Sequence, residues 1–320
     1  MKKIAMILLA ALFVLNTFAC TGGSEKQAAN QPQDSGKTQP KCYLFGSANG
    51  GQQSKDSADT DVYEGELLSQ WGGSSFKASG APAKASVTYG GETYTGTYRD
   101  SEYRMGNSYI THYYTGDNCY EFGINSENGK LVGINFQTES FYKKESAASE
   151  LRDARERADE VARECAANFL NLEECGEPTV SVMPFEDNNG TAMDVYKYFF
   201  CRKLNGIETR AYVGVRVNSR GMLVSFSLGD LDSFDKMEAD SARFDSLNIE
   251  DEIRMAFQNI HPFPTIVEGP SIDRAFFAVT PQGETVIIAA AQATFSLQQT
   301  DENSTQDPEP IGAGYEFIIK

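Results

Sequence analysis

Apolar residues along this chain follow three different rhythms, and each predicts a different kind of segment. Residues 4–15 form an apolar run with no charge, preceded by Lys2 and Lys3. At about 12 residues it falls short of the ~20 that a helix needs to cross a bilayer. Between residues 85 and 141 apolar and polar positions alternate with period two, in stretches dense in Tyr, Thr, Val and Ile, which predicts strands. Gly90-Gly91 is a tight hairpin signal between strands at 86–89 and 93–98, and further strands are expected at 109–114, 120–124 and 131–136. Together they read as an antiparallel meander.

The rhythm then changes to three- and four-residue steps. Ala147, Leu151, Ala154, Ala158, Val161, Cys165, Phe169 and Leu172 make one apolar stripe, while Arg152, Arg155, Glu156, Asp159, Arg163 and Glu164 fall elsewhere. This predicts an amphipathic helix that needs a sheet to bury its stripe. Ser146 supplies an N-cap oxygen, and Gly176 with Pro178 ends the run. Strands are expected at 179–183, 195–202, 211–217 and 222–228, with Asn205-Gly206 turning the middle hairpin. The order recurs more weakly afterwards. A second helix over 248–260 runs through Ile249, Ile253, Met255, Ala256 and Ile260 and stops at Pro262 and Pro264, followed by strands at 274–279, 285–295 and 315–319. Residues 298–314 are polar with two prolines and read as a loop.

These elements predict an α+β fold: tandem modules of one helix on a curled antiparallel sheet, preceded by the meander. The expected divisions are a signal peptide over 1–19, a disordered tether over 20–61, a β-rich module over 62–145, a helix with four strands over 146–236, and a second helix with its sheet over 237–320. The tether expectation rests on residues 21–41, which are rich in Gly, Ser, Gln, Asn and Lys and poor in large apolar side chains.

An internal repeat supports duplication. The segment from Ile124 to Phe136 lies over that from Val217 to Leu228 with one gap in the turn. Both read apolar-Asn-Ser, then Gly-x-Leu-Val-x-apolar-x-apolar, and a looser copy runs from Val279 to Ile288. A turn needing positive φ accounts for the glycine in each copy, and no chemistry is required.

The segment Tyr196-Lys197-Tyr198-Phe199-Phe200-Cys201-Arg202-Lys203-Leu204-Asn205-Gly206-Ile207, set between a helix and a Gly-x-Leu hairpin, resembles the PepSY-like domains of bacterial lipoproteins. The resemblance is best over 146–228. It implies a PepSY/cystatin-like sheet and a non-catalytic role, such as the inhibitory or chaperoning parts of metallopeptidase propeptides. No residue of this chain allows a peptidase-inhibiting role to be carried over position by position.

The amino-terminal pattern matches a secretory signal, and Thr17-Phe18-Ala19 before Cys20 resembles a bacterial lipobox. Cys20 is therefore the candidate lipid-attachment residue, and the membrane is expected as a partner through that anchor only. Thr17 and Phe18 depart from the usual Leu and small residue of that pattern, so simple secretion after cleavage at Ala19 stays open.

Charge narrows the partners. With 28 Lys and Arg against 45 Asp and Glu the formal net charge is −17, which argues against nucleic acid and against adhesion to anionic lipid. Two acidic stretches are candidates for calcium. Residues 59–64 place Tyr63 where an oxygen ligand is needed and lack the turn glycine, and residues 230–240 have no loop pattern. Neither supports a metal site over a solvated surface. Beyond Cys20, Cys42, Cys119, Cys165, Cys175 and Cys201 form no C-x-x-C pattern. Cys165 reads as a small buried residue on the helix face, with a disulfide to Cys175 or Cys201 as the alternative.

No cofactor is implied and no catalytic residue is assigned. Only two histidines exist; His112 reads as a partly buried strand residue and His261 as a residue at a helix end. There is no G-x-S-x-G, H-E-x-x-H, P-loop or dinucleotide fingerprint. Trp71 and the tyrosines at 89, 94, 98, 103, 109, 113 and 114 read either as core packing or as an aromatic ligand platform. The expected function is a non-enzymatic extracytoplasmic lipoprotein of tandem PepSY-like modules that binds a protein or peptide partner. A cell-wall or polymer hydrolase working through acidic residues is the alternative.

Overall fold

The computed structural model describes residues 42–47, 75–117, 120–136, 154–186, 192–260, 265–296 and 311–320, all within one compact unit spanning 39–320. The expected signal segment, Cys20, the acidic stretch at 59–64, Trp71, Cys119, Ser146 and His261 lie outside the described residues.

The first strand, β1 (Cys42–Ser47), falls within the segment expected as a tether. The meander follows as β2 (Lys84–Tyr89), β3 (Glu92–Tyr103), β4 (Ile110–Gly116), β5 (Tyr120–Asn125) and β6 (Leu131–Phe136). Each pairs antiparallel with the next. Helix α1 (Ala154–Ala167) precedes β7 (Thr179–Glu186), β8 (Ala192–Leu204), β9 (Ile207–Asn218) and β10 (Leu223–Leu228). Then come α2 (Phe234–Ser241), α3 (Ile249–Ile260), β11 (Thr265–Val279), β12 (Thr285–Ser296) and β13 (Ile311–Ile319).

The expectation of tandem helix-on-sheet modules is incorrect. Among the described residues the strands form one 13-stranded sheet, ordered β1-β13-β12-β11-β9-β10-β6-β5-β4-β3-β2, with β8 also on β9 and β7 beyond it. The sheet is mixed, because β9 runs parallel to β11 through Glu208↔Phe276 and Thr209↔Phe277. The reason lies in the edges. A separate module would leave edge N–H and C=O groups unpaired, whereas here β6 joins β10 and β11 joins β9. At 12 residues, β9 is long enough to meet β11 near its start and β10 from Val213 to Val217, while β8 takes its other side. Hydrophobic periodicity fixes which face of a strand is apolar. It does not say which distant strand lies alongside.

The helix faces were legible except at Met255, expected on the apolar side of α3 but half exposed. Ala158, Ala162, Cys165 and Ala166 of α1 are buried in a cluster with Phe122, Ile134, Val213, Val215, Val217 and Phe226 from β5, β6, β9 and β10. Small α1 residues let the helix approach the sheet closely, leaving Phe169 to stack beside Tyr89 and Phe226. A second core places Ile253 and Phe257 of α3 against Ala289 and Phe317. Helix α2 was not expected. Its acidic surface hides only two buried anchors, Phe234 and Met237, too few for a periodic signal.

The repeat has a structural basis. Asn125 Oδ1 accepts from the Glu127 amide at 2.8 Å, and Asn218 Oδ1 accepts from the amides of Arg220 and Met222, each at 3.0 Å. In the looser copy Thr280 Oγ1 accepts from the Glu284 amide at 3.2 Å. Gly129, Gly221 and Gly283 follow at φ of 70°, 77° and 80°, the left-handed backbone that glycine adopts without a Cβ penalty. The conserved spacing is thus one turn chemistry used three times.

Candidate binding cleft

Side chains on successive strand residues point to opposite faces, so the face of the central sheet away from α1 is defined by the residues between the core positions. There Tyr113, Gly123, Gly133, Ser227, Gly214 and Phe199 stand opposite one another across β4, β5, β6, β10, β9 and β8. Four of the six have little or no side chain. The row is therefore a trough, with half-buried Gly133, Ser227 and Gly214 as its floor, Tyr113 leaning over the buried Gly123 as one wall and Phe199 as the other. Phe199 leans on Tyr212, ring centroids 4.6 Å apart. The adjoining row is polar: Glu121, Asn135, Ser225, Arg216 and Lys197. The resulting cleft encloses about 590 Å³, within the range of small-ligand and peptide-side-chain sites.

Arg104, Arg210 and Arg274 close one end of the cleft. Arg104 sits in the turn between β3 and β4, where the Asn107 amide donates to its carbonyl at 3.0 Å. Gly106 in that turn has a φ of 86°, and a Cβ there would stand 2.4 Å from Arg210 Nε. Glycine is needed both for the backbone and for the room it leaves the arginine stem. Arg210 Nη2 donates to Asn107 Oδ1 at 3.3 Å, and its guanidinium carbon lies 4.8 Å from the Tyr212 ring centroid and 5.2 Å from that of Phe276. Arg274 lies 5.9 Å from the same Phe276 ring and pairs with Glu316 at 2.9 Å. Burial pushes the Tyr212 hydroxyl up, but Arg210 and Arg104 outweigh it and hold the pKa below the ordinary tyrosine value.

The cleft carries Glu102 and Glu121 as its carboxylates. Glu102 accepts from the Tyr113 hydroxyl at 3.2 Å, and Glu121 pairs with Arg99. Burial raises the Glu121 carboxyl pKa against the opposing pull of Arg99. With Arg104, Lys197, Arg210, Arg216 and Arg274 against these two, the cleft is net basic among the described residues in a chain of formal charge −17.

The residues singled out by sequence are dispersed. Of the seven tyrosines, Tyr113 alone lines the cleft. Tyr94, Tyr109 and Tyr114 are buried, Tyr89 packs under α1, and Tyr98 and Tyr103 contact His112 and Phe76. They are packing residues and form no platform. His112 is partly buried in β4, and its Nδ1 lies 2.7 Å from Ser101 Oγ. That serine has 0% exposure, so no substrate reaches the pair. Cys165 is buried at 3% exposure, and the Tyr89 hydroxyl donates to its sulfur at 3.2 Å. Asp230, from the acidic stretch, is buried at 1% and accepts from the amide and hydroxyl of Ser108. Among the described residues no group of three or more His, Cys, Asp or Glu side chains is placed to hold a metal ion, and no helix is long and apolar enough to cross a membrane.

The cleft residues carry little sequence signal. Gly123, Gly133 and Gly214 interrupt otherwise regular strands, where glycine often marks close approach of another backbone or ligand. Each alone is unremarkable; only the register aligns them.

No family model matches the chain, and no curated protein matches it. Among solved structures, the chain is similar to the C-terminal domain of YpeB from Bacillus megaterium, at 11% sequence identity over 73% of this chain and 90% of that one, with a TM-score of 0.25. A likeness of that size assigns neither fold nor function to this chain.

Proposed function

We propose that this chain is a non-catalytic, extracytoplasmic binding protein whose central cleft takes an extended segment of a protein or peptide partner. The carrying observation is the trough of Gly123, Gly133, Ser227 and Gly214 between Tyr113 and Phe199. A glycine floor leaves backbone within reach of a ligand, and aromatic walls supply apolar contact with little entropy to lose. Export rests on Lys2, Lys3 and the apolar run at 4–15, and the anchor on Cys20. A lipidated Cys20 would hold the cleft at a membrane surface and leave it facing the envelope.

The hydrolase reading has less behind it. Glu102 and Glu121 are already engaged by Tyr113 and Arg99, and the buried Ser101 beside His112 is out of reach.

Selection of a displayed random-peptide library on the purified chain tests the binding reading. Selected peptides are expected to lose affinity for Ser227→Trp, which fills the trough, and for Phe199→Ala, which removes a wall. Peptides that bind both variants as tightly as the parent would place the site elsewhere, and turnover of a glycan panel abolished by Glu121→Gln would favour the hydrolase.

A further inference from the structure

We propose that the end of the cleft formed by Arg104 and Arg210 is an anion subsite that takes a carboxylate of the bound segment, so that the preferred partner is an acidic peptide. This rests on the cleft being the binding site and specifies what it selects.

Three observations converge. First, among the described residues neither Arg104 nor Arg210 has a carboxylate within ion-pair distance, whereas Arg274 beside them pairs with Glu316. Second, Arg210 Nε is buried and, among the described residues, has no hydrogen-bond partner. A buried N–H without an acceptor costs roughly 1–3 kcal/mol, more for a charged group. Third, the guanidiniums share a small volume. Arg210 and Arg274 both lie within 6 Å of the Phe276 ring, and burial together with the charges of Arg104 and Arg274 pulls the Arg210 pKa below its ordinary value despite Tyr212.

A bound carboxylate answers all three at once. It gives Nε an acceptor, neutralises the crowded positive charge, and fits the planar fork of a guanidinium. The positions of the arginines are built in: Gly106 makes room for the Arg210 stem, and the Gly229 amide donates to Tyr212 while that of Asp230 donates to the Arg210 carbonyl, at 2.9 and 2.7 Å. A peptide lying along the trough would present its carboxylate at that end.

The arginine side-chain Nε–H resonances of the 15N-labelled full chain provide the readout, with succinate and inorganic phosphate as probes. Succinate is expected to shift the Arg210 and Arg104 signals saturably, and both Arg210→Gln, followed at Arg104 Nε, and Arg104→Gln, followed at Arg210 Nε, should weaken that binding about tenfold or more, the loss of one charge-assisted interaction. A linear, non-saturating response in the parent chain overturns the subsite. So does a saturable response that neither variant changes. Saturation by phosphate with succinate inert overturns the carboxylate assignment. If succinate behaves as expected while library selection yields no cleft-dependent peptide, the anion site stands and the peptide reading falls. Peptides that need the trough but are indifferent to both glutamine variants give the reverse.

Discussion

Ile134 and Phe226 face each other where β6 meets β10, and they are equivalent positions of the sequence repeat. Equivalent residues that pair antiparallel place a local two-fold axis between them, so the β5–β6 and β9–β10 hairpins are related by half a turn across the centre of the sheet. The same operation exchanges the two rows of the cleft face. Gly123, Gly133, Ser227 and Gly214 map onto Arg216, Ser225, Asn135 and Glu121. One row is nearly empty and the other carries polar groups, although each draws on both copies, and the trough is the difference between the rows.

This relationship predicts strong coupling. Both side chains are buried, at 1% and 2% exposure, in the core under α1. Ile134→Ala should cost about 2–5 kcal/mol and Phe226→Ala about 3–5, measured by urea unfolding. In the double variant the two should depart from additivity by at least about 0.5 kcal/mol. Ile134→Ala combined with Phe277→Leu, in a separate cluster, should be additive within that margin.

Gly106 and Gly129 separate backbone strain from lost space. Both have positive φ, but a Cβ at Gly129 meets nothing within 4 Å whereas one at Gly106 lands on Arg210. Gly129→Ala should cost about 1 kcal/mol and leave succinate binding unchanged. Gly106→Ala should cost more and also displace Arg210, abolishing the saturable response. Equal effects of the two on binding would show that the turn does not position the arginine.

Acid sensitivity should be traceable to Asp240. The Thr285 hydroxyl donates to its carboxylate at 2.6 Å, and Lys236 adds a second hydrogen bond, so its pKa lies below the ordinary value despite burial. The unfolded chain then holds this proton more tightly than the native one. The stabilisation is present above the unfolded value of about 4 and is lost as pH falls through the native pKa. Asp240→Asn should flatten the acid limb of a Tm-against-pH curve below about pH 4; an unchanged slope would remove Asp240 from the account.

Thiol reactivity should report unfolding. Burial pushes Cys165 up to about 11 and Cys42 and Cys201 up to about 12, and raises Cys175 as well. Thiolate is the reactive form, so in a chain carrying Cys20→Ser and Cys119→Ser no rapid labelling by a disulfide reagent is expected at pH 7.5 until denaturant is added. Prompt labelling of any of the four would show that its site opens in the native state.

Much of the secondary structure was readable because it depends on local chemistry. The Asn205-Gly206 turn, the α1 stripe through Ala158 and Cys165, and the repeat turns at Asn125 and Asn218 each carry their reason within a few residues. The single sheet was not readable, since the parallel contact of Thr209 with Phe277 joins strands far apart in sequence and leaves no periodic trace. The cleft was hidden for the same reason. Arg104, Arg210 and Arg274 belong to three different strands or turns, and their tyrosine-rich surroundings pointed to an aromatic platform that packing consumes.

The central claim is that the glycine-floored trough is where a partner binds. Backbone amide shifts of the labelled chain, recorded with and without a saturating library-selected peptide, test it most directly. The account predicts the largest changes at Gly123, Gly133, Gly214 and Ser227, with Arg210 Nε moving alongside when the peptide is acidic. Changes confined to α1, α3 or the edge strand β7, with these four amides still, would contradict it.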